Sequence, residues 1–109
     1  MDLEKNCKIL KIYVSEDSKY KGHSLYHAII LKLRELGIAG ATVIRGIEGF
    51  GQDKRLHTAR IVDASLSLPV VIEAIDNADK IDAVIPHIKA MLNEGLMITA
   101  DINVIKYGK

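Results

Sequence analysis

The sequence predicts a single α+β domain spanning residues 1–109, with a four-stranded antiparallel sheet and two helices on one of its faces. Three observations lead to this. Short apolar runs alternate with period two near both ends and in the middle of the chain, as strands do. Two other segments carry apolar residues at helical spacing. The runs follow one another in the order β-α-β-β-α-β, which with a right-handed crossover for each βαβ unit specifies one sheet topology.

The first strand is read at Lys8 to Val14, where Leu10, Ile12 and Val14 share one face and Ile9, Lys11 and Tyr13 the other. The polar run SEDSKYKGH then leads to Ser24, a residue type that caps helix N-termini. Helix one is predicted over Leu25 to Leu36, with Leu25, Ala28, Ile29, Leu33 and Leu36 on its buried side and Gly37 as its stop. Strand two is placed at Ala41 to Ile47. The connection after it, GFGQDKRLHTARIVDASLS, is polar and long for a compact domain, and loops of such length are usually functional or mobile, so a mobile loop is expected over about 52–66. Strand three is Leu68 to Ile75, with Pro69 near its start because proline cannot donate to a ladder. Asn77 caps a second helix whose stripe is Ile81, Val84, Ile85, Ile88 and Met91. Pro86 inside it predicts a kink or break, and Gly95 is read as its end. Met97 to Tyr107 is the fourth strand. The whole is the ferredoxin-like arrangement.

Strand three also speaks to assembly. Val70, Ile72 and Ala74 lie on one side and Val71 and Ile75 on the other, leaving Glu73 as the polar interruption. A sheet with one wet face should alternate more cleanly, so the second face needs an apolar cover, and another copy of the chain is the expected one.

Composition bounds the function. Fifteen basic and 14 acidic residues give a formal charge of +1, so no overall field draws in nucleic acid or an anionic membrane, and any anion site must be local. One cysteine, Cys7, excludes an intramolecular disulfide and fits a reducing compartment. No apolar run approaches the ~20 residues of a spanning helix and the charged N-terminus is unlike a signal peptide, so a cytoplasmic protein without membrane insertion is expected.

The stretch GIAGATVIRGIEGFGQ, Gly37 to Gln52, holds five of the eight glycines. Glycine at this density marks backbone that turns, bulges or lets another group come close. Gly49 and Gly51 could bring backbone N–H groups to a phosphate while Thr42 offers a hydroxyl and Gln52 an amide. The same glycines could instead do no more than shape a twisted strand and its exit.

Gly37-x-x-Gly40-x-Thr42-Val43, followed by Gly49-Phe50-Gly51-Gln52, resembles the PII signal-transduction proteins. The opening strand, PVVIEAID and MITADINVIKY are similar to a small branch of PII-like proteins with no assigned activity. The resemblance spans nearly the whole chain. It implies a homotrimer with inward-facing sheets, and an adenine-nucleotide site between subunits to which Thr42, Gly49, Phe50, Gly51, Gln52 and Lys106 contribute, with Lys109 further along the tail. It also implies that the loop of about 52–66 signals to a partner protein such as a membrane transporter or channel, through Lys54, Arg55, His57 and Arg60. The basic run would otherwise be a solvated loop face. The sequence departs from the PII pattern in four places: one extra residue between Thr42 and Gly49, read as a bulge near Gly46; no arginine after Gly51; no tyrosine at the loop tip for covalent modification; and the short NEGLMIT in place of a glycine-rich phosphate loop. The last favours AMP, ADP or a cyclic nucleotide over ATP.

His23, His27, His57 and His87 do not form a metal signature, and no metal site is expected. Cys7 has no evident base beside it and is read as inert. No nucleophile elbow, Walker loop, dinucleotide fingerprint or paired carboxylates stand out, so a non-enzyme is expected. Two alternatives to the nucleotide sensor stay open: a divalent-metal-binding trimer resembling cation tolerance proteins, and a structural adaptor without a ligand.

Overall fold

The computed structural model describes residues 6–60 and 67–109. Its elements run β1 (Cys7–Ser15), β2 (Lys19–Tyr20), β3 (His23–Ser24), α1 (Leu25–Glu35), β4 (Gly40–Arg45), β5 (Glu48–Gly49), β6 (His57–Thr58), β7 (Pro69–Asn77), α2 (Ala78–Lys89) and β8 (Leu96–Ile102). The main sheet has the order β4-β7-β1-β8 with every pair antiparallel, and the helices connect its strands on one face. This is the predicted ferredoxin-like fold. Among the described residues no helix is long and apolar enough to cross a membrane.

Period-two alternation places Leu10, Ile12 and Val14 of β1 beside Val70, Ile72 and Ala74 of β7 beneath the helices. Leu25, Ile29 and Leu33 of α1 and Ile81, Val84 and Ile88 of α2 close the core from above. A Lys8–Asp82 ion pair of 2.9 Å ties β1 to α2. Both helices begin where the sequence placed their caps, but neither Ser24 nor Asn77 makes the side-chain bond. Remote backbone satisfies the first N–H of each instead: Leu25 donates to the Ser18 carbonyl at 2.9 Å and Ala78 to that of Asn6 at 2.5 Å. The Asn77 amide oxygen is left to accept from the Cys7 thiol at 3.7 Å.

Three local expectations are corrected. Helix α2 runs unbroken through Pro86 to Lys89. The proline is exposed, and buried Val84 and Ile88 hold the helix on the sheet on either side of it. Gly95 does not end that helix. It opens β8 at φ +133°, where a Cβ would stand 2.7 Å from the Tyr13 carbonyl, so it is the point at which β8 is laid against β1. The polar run before α1 is a small hairpin, β2 with β3, turned by Lys21 and Gly22 at positive φ in the manner of a two-residue primed turn.

Among the described residues no helix lies on the other face of the sheet. Across it run Ile44, Val71, Tyr13 and Leu96 in one row, and Thr42, Glu73, Lys11 and Ile98 in the next. Ile44, Leu96 and Ile98 are 45%, 54% and 42% exposed. The Lys11–Glu73 pair, 3.5 Å apart, neutralises the charge in the middle of this apolar surface.

Candidate functional site

The glycine segment is carried by β4 and by the hairpin that succeeds it. β4 pairs with β7 residue for residue, from Gly40 opposite Ile75 to Arg45 opposite Val70, and the Gly46 N–H then bonds the Pro69 carbonyl at 2.7 Å. The bulge expected near Gly46 is therefore absent, because the ladder continues in register through it. Gly46 is there for another reason: a Cβ on it would meet Pro69 Cγ at 2.9 Å. Gly46→Ala should cost about 1–2 kcal/mol by overpacking against a stiff ring. Chemical denaturation of the Gly46→Ala/Pro69→Ala pair checks this, since most of the loss should return when the ring is removed.

The connection after β4 is not structureless as far as it is described. β5 and β6 form a hairpin, with Glu48 opposite Thr58 and Gly49 opposite His57. Buried Thr58 donates to Glu48 Oε1 at 3.1 Å and accepts from the Arg60 N–H at 3.1 Å. At the tip the Lys54 N–H bonds the Gly51 carbonyl at 3.0 Å, and the Arg55 N–H bonds Asp53 Oδ1 at 2.9 Å. The loop expected over 52–66 thus includes the tip and second strand of a short hairpin as far as Arg60, and residues 61–66 lie outside the described residues.

The candidate residues fall into three places. Thr42 is exposed on β4, on the uncovered face opposite Glu73. Gly49, Phe50, Gly51 and Gln52 form one arm of the hairpin; Phe50 is 66% exposed with Lys54 Nζ 5.6 Å from its ring centroid. Lys54 and Arg55 are exposed at the tip, His57 is half-buried in β6 and Arg60 is exposed just after it. Among the described residues no ion pair engages Lys54, Arg55 or Arg60. Lys106 sits apart. β8 ends at Ile102, short of the predicted Tyr107, and the tail crosses the end of the sheet, where Tyr107 donates from its hydroxyl to the Ala39 carbonyl at 2.7 Å. Lys106 therefore stands at the start of β4 and the hairpin at its far end, with about 20 Å of strand between them. Within one chain the structure brings Thr42 toward each group but does not bring the two groups together.

Sequence reasoning missed two clusters. Asp76 is wholly buried at the end of β7, accepting from the Ala39 N–H at 2.9 Å and the Asn77 N–H at 2.6 Å, with Lys80 Nζ 3.7 Å away. Its signal was present: Val70, Ile72, Ala74 and Asp76 share the core-facing phase, and a carboxylate in that phase needs buried donors. The second cluster is Ser15, Asp17 and Ser67, on chain segments too far apart in sequence to be linked by pattern. Both hydroxyls donate to Asp17 Oδ1 at 2.8 Å and also meet each other. These bonds, Ser15's first and Ser67's second, hold the Asp17 carboxyl below its ordinary value of 3.8. A depressed folded-state pKa means that its small stabilising contribution is present above pH 3.8 and is lost as pH falls through the depressed value. Carboxyl NMR titration should show the Asp17 pKa rising in Ser15→Ala, and by less in Ser67→Ala.

A groove of about 240 Å³ lies between α1 and β4, lined by Leu31, Arg34, Ile38, Ala39 and Ala41 among others. Its walls are apolar apart from Arg34, and neither Thr42 nor the hairpin lines it, so the β4 face, which carries Thr42 and leads into the hairpin, is taken as the candidate site.

Against known proteins, residues 7–104 match the family model DUF190, described as "Uncharacterized ACR". The chain is 38% identical over 98 residues to a UPF0166 protein of Aquifex aeolicus, covering 90% of this chain and 92% of that one. It is 40% identical over 100 residues to a UPF0166 protein of Methanocaldococcus jannaschii, covering 91% and 92%. Among solved structures it is similar to CPII, a nitrogen regulatory PII-like protein from Thiomonas intermedia K12 bound to ADP, AMP and bicarbonate. That match has a TM-score of 0.63 at 19% identity and covers 92% of this chain and 89% of the other. It is also similar to the divalent ion tolerance protein CutA1 from Ehrlichia chaffeensis, with a TM-score of 0.62 at 17% identity and coverage of 95% and 86%. The family model and the matches over some nine-tenths of the chain agree: this chain belongs to the DUF190 (UPF0166) family.

Proposed function

We propose that the protein is a PII-like regulator, not an enzyme, that binds an adenine nucleotide in clefts between the subunits of a trimer and signals to a partner protein through the β5–β6 hairpin. The observation that carries this reading is a fold similar to that of an ADP- and AMP-bound PII-like protein, combined with Thr42 and the Gly49–Gln52 arm on one continuous piece of chain beside an uncovered apolar face. Packing that face against its copies would build the cleft and could supply from a neighbour the Lys106 that a single chain holds at the wrong end of β4. Without a glycine-rich phosphate loop before β8, a mono- or diphosphate suits the site better than a triphosphate. Lys54, Arg55, His57 and Arg60 then form the docking surface for the partner, with a membrane transporter or channel as the class proposed.

Calorimetric titration with AMP, ADP, ATP and a cyclic nucleotide tests the ligand. ADP or AMP should give saturable heat, and Thr42→Val should weaken it about tenfold. Absence of heat with all four would reject the reading. The CutA1-like fold supports a second one, a divalent-metal-binding trimer drawing on His23, His27 or His57. These histidines lie on β3, α1 and β6, and among the described residues no group of three metal-ligating side chains comes together. A stoichiometric ion retained by protein purified without a histidine tag would favour it. Neither heat nor metal would leave an adaptor that works without a ligand.

A further inference from the structure

The helix side of β4 is only partly covered. Ala41 stands opposite Ala74 in the register and shares its helix-facing phase, yet Ala74 is wholly buried and Ala41 is exposed. The helices therefore cover β7 and stop short of the edge strand beside it. The space left is the groove of about 240 Å³, with Leu31, Leu33, Ile38 and Ala41 in its apolar walls. Backbone fixes one of these walls. Gly37 at φ +80° turns the chain out of α1, and the Ile38 N–H returns to the Leu33 carbonyl at 3.1 Å, which holds Ile38 against the end of the helix.

The lining holds one cation and no anion. That cation is Arg34, and its neighbours on α1 leave it alone: Lys32 and Glu35 pair with each other at 3.1 Å, and among the described residues Arg34 has no ion pair. The edge strand adds a backbone donor. The Gly46 N–H bonds the Pro69 carbonyl opposite it, so the even-numbered residues of β4 bond β7 and the odd-numbered ones turn their N–H and C=O groups outward. No strand lies beyond β4 among the described residues, so there the Ala41 N–H has no partner.

This combination selects a ligand that is apolar along its length and anionic at one end. A bare phosphate would leave the walls wet, and a hydrocarbon would leave the guanidinium without a partner. A carboxylate meets the planar guanidinium in a paired geometry. The size class is small, because the volume falls below the ~300–1,000 Å³ of pockets that take drug-sized molecules. We propose that the α1–β4 groove is a binding site for a small aliphatic carboxylate, its chain laid against Leu31, Ile38 and Ala41 and its charge held by Arg34. The site is independent of the nucleotide reading, which concerns the opposite face of β4 and the hairpin.

The test titrates the full ¹⁵N-labelled chain with sodium octanoate at millimolar, sub-micellar concentration and follows the amide spectrum. Saturable shifts should appear at Leu31, Arg34, Ile38 and Ala41 and be absent from Ile44, Leu96 and Ile98 on the uncovered sheet face. From butyrate to octanoate affinity should rise about twofold per methylene; full burial would give about fourfold, and the groove is open on the side where Leu31 is 40% exposed. Arg34→Gln, an exposed position, should weaken octanoate about tenfold and leave octanol unchanged. Ala41→Leu should fill the groove and weaken both, with the rest of the spectrum unmoved. No saturable shift overturns the site, and so do shifts centred on Ile44, Leu96 and Ile98, which would report general adhesion to apolar surface. Octanol binding as tightly as octanoate, or octanoate binding untouched by Arg34→Gln, overturns recognition of the carboxylate.

Discussion

Asp76→Ala is expected to lower the unfolding free energy by about 3 kcal/mol. The carboxylate is 0% exposed and accepts two backbone N–H groups, and hydrogen bonds to a charged acceptor are worth ~1.5–3 kcal/mol each. Truncation leaves the Ala39 N–H facing an apolar gap, and it releases Lys80 from one of its two partners. For a domain of this size such a loss should lower the melting temperature by on the order of 15 °C. Asp76→Asn should fall between, because an amide keeps one acceptor but turns a donor toward at least one N–H. Asp101→Ala, on the exposed edge strand, is the control and should stay within ~0.5 kcal/mol. Thermal and urea unfolding measured side by side decide the matter; equal losses at positions 76 and 101 would refute the structural role given to the buried carboxylate.

The second large effect concerns assembly. In Ile44→Asp/Leu96→Asp both substitutions lie on the uncovered face, at the two ends of the row that runs through Val71 and Tyr13. In the lone chain these side chains are already 45% and 54% exposed, so the fold should tolerate the change. In a trimer packed through that face, each carboxylate would be taken out of water without a partner, a cost of several kcal/mol per site, in place of apolar burial worth ~1.5–3 kcal/mol. Light scattering should show the parent at about three times the 12.0 kDa chain mass and the variant near 12.0 kDa, with an unchanged circular dichroism spectrum. A parent particle of 12.0 kDa would remove the inter-subunit cleft, and with it the proposed ligand site.

Residues whose role depends on neighbours in sequence were readable without coordinates. Alternation in KILKIYV and PVVIEAID set the two central strands and their phase, and the Leu25–Leu33 and Ile81–Ile88 stripes set the helices. The topology came from their order, and the apolar content on both sides of β7 pointed to a face left open. These are properties of period, and period is local.

Contacts between distant segments were beyond that reach. Gly46 looked like a bulge until Pro69 was found in the space a Cβ would need. Gly95 looked like a helix stop until the Tyr13 carbonyl was found beside it. The helix caps were placed correctly, yet their donors turned to the carbonyls of Ser18 and Asn6, which only folding brings near. Lys106 read as part of the glycine site, whereas the Tyr107–Ala39 bond, made across 68 positions of sequence, draws it to the other end of β4. Sequence by itself determined which residues face the core, because burial tracks a repeating local geometry. Tertiary structure alone decided which glycine, carboxylate and lysine meet, because those meetings depend on where segments far apart in sequence come to lie.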